Sequence, residues 1–266
     1  MNNYKLINGD CIEEMQKLAN DGVKVDMVLT DPPYGTTACK WDTIIPFDEM
    51  WKCLNGLTYD NTPIVLFGSE PFSSNLRMSN IYNYRYDWIW HKNSSGGFVN
   101  AKKMPMKYHE IISIFYKKQP TYNPQFQEYK DSTKQRFKND GRVNRSKQIE
   151  NSTNQIQDGL KGVVSEIKLD RGKYPESVQY FKSVHTANGT RLHPTQKPVK
   201  LLEYLIKTYT KENDTVLDFT MGSGSTGVAC LQTNRNFIGI ELEPKYYEIA
   251  KKRITEAKAQ RRLNDE

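Results

Sequence analysis

The sequence predicts an α/β protein with a doubly wound, mostly parallel sheet. Three observations predict it. Short apolar runs alternate with segments of helical periodicity along both ends of the chain. A glycine-rich turn, Gly222-Ser223-Gly224-Ser225-Thr226-Gly227, lies between a strand signal and a helix signal. Asp10, Asp31, Asp218 and Glu241 all fall where apolar runs end, the edge at which open parallel sheets bind ligands.

The elements follow in order. Lys5-Leu6-Ile7 is a strand stopped by Asn8-Gly9-Asp10, and Ile12, Met15, Leu18 and Ala19 then repeat at helical spacing. Val25 to Leu29 is a buried-type strand running into Asp31-Pro32-Pro33-Tyr34. Two prolines lack backbone donors and force the chain to turn there. Residues 46 to 57 form a helix after Pro46, and Ile64 to Phe67 a strand before Gly68. Tyr86 to Trp90 and Ile111 to Tyr116, rich in aromatic and β-branched residues, predict two more strands. From about Lys117 to Val184 the chain is polar and could not bury a large core of its own. Regularity returns after Pro198, where Leu201, Leu202, Leu205, Ile206 and Tyr209 share a helical face. Val216 to Phe219 is the strand entering the glycine turn, Thr226 to Leu231 the helix leaving it, and Phe237 to Glu241 the next strand. A closing helix carries Tyr247, Ile249, Ala250, Ile254 and Ala257 inward. The expected organisation is one domain in two halves, 1–116 and 185–266, around an inserted lobe at 117–184.

Composition excludes several classes. The chain has 266 residues, 37% hydrophobic and 26% charged, enough for one full α/β domain with a lobe. No apolar run approaches the roughly 18 residues of a membrane span, and the N-terminus lacks a signal-peptide core, so a cytoplasmic protein is expected. Cys11, Cys39, Cys53 and Cys230 form no Cys-x-x-Cys pair. Free thiols are expected, and no metal site. The net charge is +7, and its position is telling. Residues 102–173 carry 16 Lys and Arg against 8 Asp and Glu, a net +8, while the remainder carries −1. A polyanionic partner or a solvated surface lobe would each explain that.

Two motifs carry chemistry. The glycines of Gly222 to Gly227 permit a tight turn, and the following helix presents amides to a carboxylate or phosphate. Glu241, ending the next strand, could accept both hydroxyls of a ribose. The turn suits a nicotinamide dinucleotide or S-adenosylmethionine (SAM) equally. In Asp31-Pro32-Pro33-Tyr34, Asp31 and the Pro32 carbonyl are acceptors and Tyr34 a flat π face. Two acceptors and a stacking ring fit a planar base bearing an amino group. A tetrapeptide that merely turns the chain is the alternative.

Taken together, these segments resemble the amino-methylating DNA methyltransferases. Leu29-Thr30-Asp31-Pro32-Pro33-Tyr34-Gly35 resembles their catalytic motif, and Leu217-Asp218-Phe219-Thr220-Met221-Gly222-Ser223-Gly224-Ser225-Thr226 their cofactor motif. His193-Pro194-Thr195-Gln196-Lys197-Pro198 resembles the segment that closes over the cofactor, and Asn8-Gly9-Asp10-Cys11 the adenine-contacting turn. The order, catalytic motif before cofactor motif, is that of the permuted β class. The resemblance spans roughly residues 4 to 116 and 190 to 255. Phe219-Thr220-Met221 departs mildly from the family's usual Pro-Phe-Ala or Pro-Phe-Met.

The resemblance implies a Rossmann-like fold and a cytoplasmic enzyme that moves a methyl group from SAM, leaving S-adenosylhomocysteine, to N6 of adenine in double-stranded DNA. Asp31, Pro32, Pro33 and Tyr34 would be catalytic. Asp10 and Cys11 would meet the cofactor adenine and Glu241 its ribose. Thr195, Lys197, Asp218, Thr220, Gly222, Ser223, Gly224, Ser225 and Thr226 would surround the methionine end, with Lys197 alternatively on phosphate. The base would be flipped out onto Tyr34. Asp31 and the Pro32 carbonyl would accept the amino hydrogens and localise the nitrogen lone pair, bonds that strengthen toward the transition state. No metal is required. In the lobe, Arg136, Arg142 and Arg145 would contact DNA. A homodimer and an accompanying restriction nuclease are plausible partners by the same resemblance.

Rival readings make separate predictions. N4 of cytosine also offers two donors, although Asp31, where such enzymes more often begin with Ser, favours adenine. An RNA substrate is compatible with the basic, aromatic lobe. A nicotinamide oxidoreductase would leave Asp31 to Tyr34 idle. A non-catalytic DNA-binding protein would bind without methyl transfer. Carbon-5 cytosine methylation is argued against, because enzymes of that type usually place their cysteine nucleophile after a proline and no cysteine here follows one.

Overall fold

A computed structural model of the chain describes residues 3–36, 42–139, 172–184, 192–193 and 195–265. Among them the strands are β1 (Tyr4–Asn8), β2 (Met27–Thr30), β3 (Ile64–Gly68), β4 (Tyr84–Gly96), β5 (Lys107–Phe115), β6 (Val178–Tyr180), β7 (Thr215–Asp218) and β8 (Asn236–Glu241). They form one sheet in the order β1-β8-β7-β2-β3-β5-β4-β6. Only β5 is reversed, antiparallel to both β3 and β4. The remaining neighbours pair in parallel. The fold is therefore the predicted doubly wound, mostly parallel sheet.

Helices cover both faces. On one side lie α1 (Cys11–Asn20), α2 (Phe47–Leu57) and α3 (Phe72–Ser79). Met15, Leu18, Leu54, Leu57 and Leu76 pack there against Val28, Leu66, Leu217 and Ile240. The other side carries α5 (Val199–Tyr209), α6 (Ser225–Gln232) and α7 (Pro244–Asp265), once the short α4 (Asp131–Asn139) of the inserted segment has been passed. Leu201, Leu205, Ile206, Ala229 and Ile254 meet Met27, Leu29, Val65 and Val216 there. Adjacent residues of β2 thus serve opposite cores, as the alternation of a strand buried on both faces requires. Each fully buried leucine contributes about 1.5–3 kcal/mol of burial.

Several boundaries differ from expectation. Helix α3 follows Glu70-Pro71 and reads Phe-Ser-Ser-Asn-Leu-Arg-Met-Ser, too polar to stand out, yet it buries Phe72 and Leu76. Strand β4 runs on through the polar stretch His91–Gly96, where it forms a hairpin with β5. Short β6 emerges from a polar tract because β4 offers it an edge, Ile89 pairing with Val178.

The chain divides into two compact units, Met1–Asn123 with Ser177–Glu266, and Pro124–Glu176. The second is narrower than the 117–184 segment marked by composition. Lys118 N donates to Asp60 O at 2.8 Å, and Asn123 Nδ2 to Lys207 O at 3.1 Å, which ties residues 117–123 to the first unit. Within the second unit, Gln127 and Lys173 exchange backbone bonds of 2.9 and 2.7 Å, and Phe126 packs on Tyr174. Among the described residues no helix is long and apolar enough to cross a membrane.

Candidate active site

Strands β2 and β7 are neighbours, with Met27 opposite Val216 and Val28 opposite Leu217. From this pair the chain winds outward both ways, β7 toward β8 and β2 toward β3. Such a switch point leaves a crevice beyond the strand ends. A cavity of about 520 Å³ lies there, lined by Asp10, Asp31, Asp218 and Glu241 from the ends of four strands. Threonines bolt its two main turns together. Thr30 Oγ1 donates to Asp218 Oδ1 at 3.0 Å and accepts from Phe219 N at 3.1 Å. Thr220 Oγ1 donates to the Asp31 carbonyl at 3.0 Å. The glycine-rich turn and the Asp-Pro-Pro-Tyr turn are therefore one construction.

Asp42 shapes the Asp-Pro-Pro-Tyr turn. Its buried carboxylate accepts from Tyr34 N (2.8 Å), Gly35 N (3.0 Å) and Thr36 N (2.9 Å). The Pro32 carbonyl accepts no hydrogen bond among the described residues, and Pro32 lines the cavity. Asp31 is held on both oxygens: the Tyr34 hydroxyl donates to Oδ1 and the Lys197 ammonium to Oδ2. The Tyr34 ring also packs on Phe72, centroids 5.0 Å apart. Lys197 Nζ stands 3.3 Å from Glu110 Oε2, and Lys92 binds Glu110 Oε1. Two carboxylates and two ammonium groups thus form a neutral chain. Burial pushes the Asp31 carboxyl up, with Lys197 opposing it and Glu110 adding to it. Burial would also raise Glu110, but Lys197 and Lys92 outweigh it and hold that carboxyl below its ordinary range. Burial disfavours the Lys197 ammonium, yet Asp31 and Glu110 raise its pKa. Lys197 therefore faces the catalytic turn. It also lines the cavity in which it was expected to meet the methionine end of the cofactor or a phosphate.

On the cofactor side, Gly222 and Gly224 adopt positive φ, +52° and +77°. Glu241 Oε2 accepts from Gly222 N at 2.8 Å and Oε1 from Glu243 N at 2.9 Å. Burial raises its carboxyl. Asp10 caps α1, its Oδ1 accepting from Ile12 N and Glu13 N at 2.9 and 3.2 Å. Its other oxygen takes no partner among the described residues, and Cys11 lines the cavity beside it. Arg253 straps the turn from α7, donating to Ser223 O, Ser223 Oγ and Ser225 Oγ. Thr195 bonds His193 Nδ1 (3.1 Å), whose ring meets Tyr246 at 4.1 Å between centroids. Thr226 Oγ1 donates to Asp218 Oδ2 at 2.6 Å, so these two side chains and Thr220 brace the turns as well as line the cavity.

Gly224 is the exception: it does not line the cavity. A Cβ there would meet Ala250 Cβ at 2.9 Å and Ile254 Cδ1 at 3.1 Å, in a left-handed conformation. It is a packing glycine, where α6 leaves the turn against α7. Gly224→Ala is therefore expected to cost about 1–3 kcal/mol of stability and to weaken cofactor binding by deforming the turn. Chemical denaturation and S-adenosylhomocysteine calorimetry check both; an unchanged midpoint would refute the packing role.

Asp218 is buried, and burial pushes its carboxyl up to about 7 against the bonds from Thr226, Thr220 N and Thr30. The unfolded chain loses this proton near the ordinary value of 3.8, while the folded one keeps it. Stability therefore falls as pH rises between those values. Asp218→Asn keeps an acceptor for Thr30 and can donate to Thr226. Its melting temperature should decline less than the wild type's over that interval; parallel curves would refute the assignment.

Of the lobe arginines, Arg136 lies exposed on α4, and Arg142 and Arg145 lie outside the described residues. Sequence reasoning missed Asp42, Lys92, Glu110 and Arg253. Only Glu110 left a signal, an acidic residue abutting the apolar run Ile111–Phe115.

The cavity suits SAM. It carries acceptors for the adenosine at Asp10 and Glu241, a close-approach glycine at Gly222 facing the His193 ring, and the N-terminus of α6 for a carboxylate. Among the described residues no cluster could hold a metal ion. Comparison with known proteins agrees. The DNA methylase family of N6 and N4 type matches residues 25–252. Type II methyltransferase M2.MboI of Moraxella bovis is 26% identical, covering 96% of this chain and 88% of its own. DNA adenine methyltransferase YhdJ of Escherichia coli (strain K12) is 27% identical over 94% of this chain and 82% of its own. The crystal structure of the M1.HpyAVI–SAM complex superposes with a TM-score of 0.61 at 26% identity, covering 94% of this chain and 98% of that one. With a cavity built for SAM beside an Asp-Pro-Pro-Tyr turn, the chain belongs to the N6/N4 DNA methylases and is a SAM-dependent DNA methyltransferase.

Proposed function

We propose that the methyl acceptor is N6 of adenine, in a base flipped out of duplex DNA. The observation that carries this is the pair of acceptors at the cavity wall, the Asp31 carboxylate and the Pro32 carbonyl, which accepts no other bond among the described residues. An exocyclic amino group has two hydrogens to give, and its lone pair is delocalised into the ring. Accepting both hydrogens favours a pyramidal nitrogen with a localised lone pair. The carboxylate has about four acceptor directions, so Asp31 can take the amine beside Tyr34 and Lys197. Tyr34 is the face on which the base rests. When bound, SAM supplies an electrophilic methyl group; Asp10, Glu241 and the Gly222 turn hold it, and Cys11, Thr195 and Ser223 shape its pocket. Positioning supplies much of the rate.

Adenine is favoured over cytosine N4 by Asp31 at the head of the tetrapeptide and by the relative YhdJ, itself a DNA adenine methyltransferase. The lobe, with Arg136, Arg142 and Arg145, reads the target sequence. The type II name of the Moraxella bovis relative supports a restriction nuclease as partner, and a cytoplasmic location goes with that reading. Duplexes copied with N6-methyladenine in place of adenine test the base. They should accept no label from methyl-labelled SAM, while duplexes carrying N4-methylcytosine remain substrates. The reverse pattern would assign cytosine.

A further inference from the structure

The β4–β5 hairpin stands at the cavity and extends past it. Strand β4 runs parallel to β2 and β7 through the sheet, so its end emerges on the edge where Asp31 and Asp218 lie. The base of the hairpin lines the cavity with Lys92, Lys107 and Glu110. Beyond that base, every residue from Gly96 to Met106 is exposed.

The tip has unusual chemistry for a solvated loop. Phe98 is 80% exposed and Val99 95%, and Met104 and Met106 are exposed as well. These are not held out by slack chain. Gly97 turns with φ +86°, and Phe98–Asn100 form a 3-10 turn. Asn100 N donates to Gly97 O at 2.9 Å and Ala101 N to Phe98 O at 3.0 Å. Lys103 N then donates to Asn100 O at 2.8 Å. From His91 to His109 there are four lysines and no acidic residue. An apolar point on a hydrogen-bonded turn, followed directly by exposed Lys102 and Lys103, is costly to expose to water alone. A partner with an apolar interior and an anionic exterior complements both features. Duplex DNA is that partner: stacked bases inside, phosphates outside.

We infer that the hairpin tip is a wedge that enters duplex DNA at the target. Phe98 and Val99 fill the space a displaced base leaves in the stack, while Lys102 and Lys103 hold the flanking phosphates. This rests on the reading of the site as acting on a flipped base. Taking a base out of a duplex costs a few kcal/mol, and apolar side chains entering a base step offset such unstacking. The wedge acts on duplex opening, not on the chemistry at Asp31.

The double variant F98A/V99A tests it, because both side chains are exposed and their loss should leave folding and S-adenosylhomocysteine binding intact. Two duplexes of one sequence, taken from DNA the wild type methylates, are compared. In one the target is normally paired; in the other it faces an abasic site. On the paired duplex, the variant's kcat/KM should fall roughly ten- to hundredfold, with loss of the fluorescence rise of 2-aminopurine placed at the target. On the abasic duplex it should match the wild type. K102A/K103A should reduce the slope of log affinity against log salt by about 2. Equal rates for wild type and F98A/V99A on the paired duplex would overturn the wedge, as would an equal loss on both duplexes. A wild type inactive on every DNA would instead overturn the reading of the site.

Discussion

Asp31→Asn is expected to lower kcat/KM for methyl transfer by about 10²–10³, the effect of removing one preorganised group that acts on a developing charge. The substituted amide offers a weaker acceptor and can turn a donor toward the amine. The variant should still fold. Without Asp31, Lys197 keeps Glu110 3.3 Å away, so no ammonium is stranded. S-adenosylhomocysteine affinity should be retained, since Asp31 is bolted to the cofactor turn through its backbone carbonyl, not its side chain. Single-turnover kinetics with calorimetry separate the two quantities. Transfer at the wild-type rate would remove Asp31 from the chemistry.

The second large effect is on pH dependence, and it has opposite signs at two residues. Asp31 must be ionised to accept, so the acidic limb of kcat/KM reports its proton in the free enzyme. The groups facing it are Lys197, Glu110, the Tyr34 hydroxyl and, across the threonine bolt, Asp218; Lys92 acts through Glu110. Lys197→Met removes the cation that opposes burial. The Asp31 carboxyl then rises further, and the limb should move to higher pH by roughly 1–3 units. Glu110→Gln removes a like charge and leaves Lys197 to Asp31 alone. The carboxyl falls, and the limb should move to lower pH. A merely structural network would lower rates in both variants without moving the limbs apart. Shifts of the same sign would contradict the charge-sharing described here.

Much of the fold was legible because both halves obey strict periodicities. Buried runs such as Met27-Val28-Leu29 and Val216-Leu217 bury every residue, as central parallel strands do, and Leu201, Leu205 and Ile206 mark one helical stripe. The reversal of β5 was not legible, since a strand's direction is set by its neighbours and not by its own residues. The ends of the site, Asp10, Asp31 and Glu241, stood out because each follows an apolar run. The pairings that hold the site together did not. Lys197 lies 166 residues from Asp31 and Arg253 lies 30 from Ser223, so only folding brings them together. Thr220 and Thr226 illustrate a subtler limit: the sequence places them at the cofactor turn, but the division of their hydroxyls between bracing and binding depends on Asp218 and the Asp31 carbonyl.

The central claim, methyl transfer to an amino nitrogen held by Asp31, is tested most directly by product identity. Duplex DNA is treated with wild type or Asp31→Asn and methyl-labelled SAM, digested to nucleosides and analysed by mass spectrometry. Labelled N6-methyladenine from the wild type, and about a hundredth of it or less from the variant at equal time, is the predicted result. Label on carbon-5 of cytosine, or equal label from both proteins, would contradict the account.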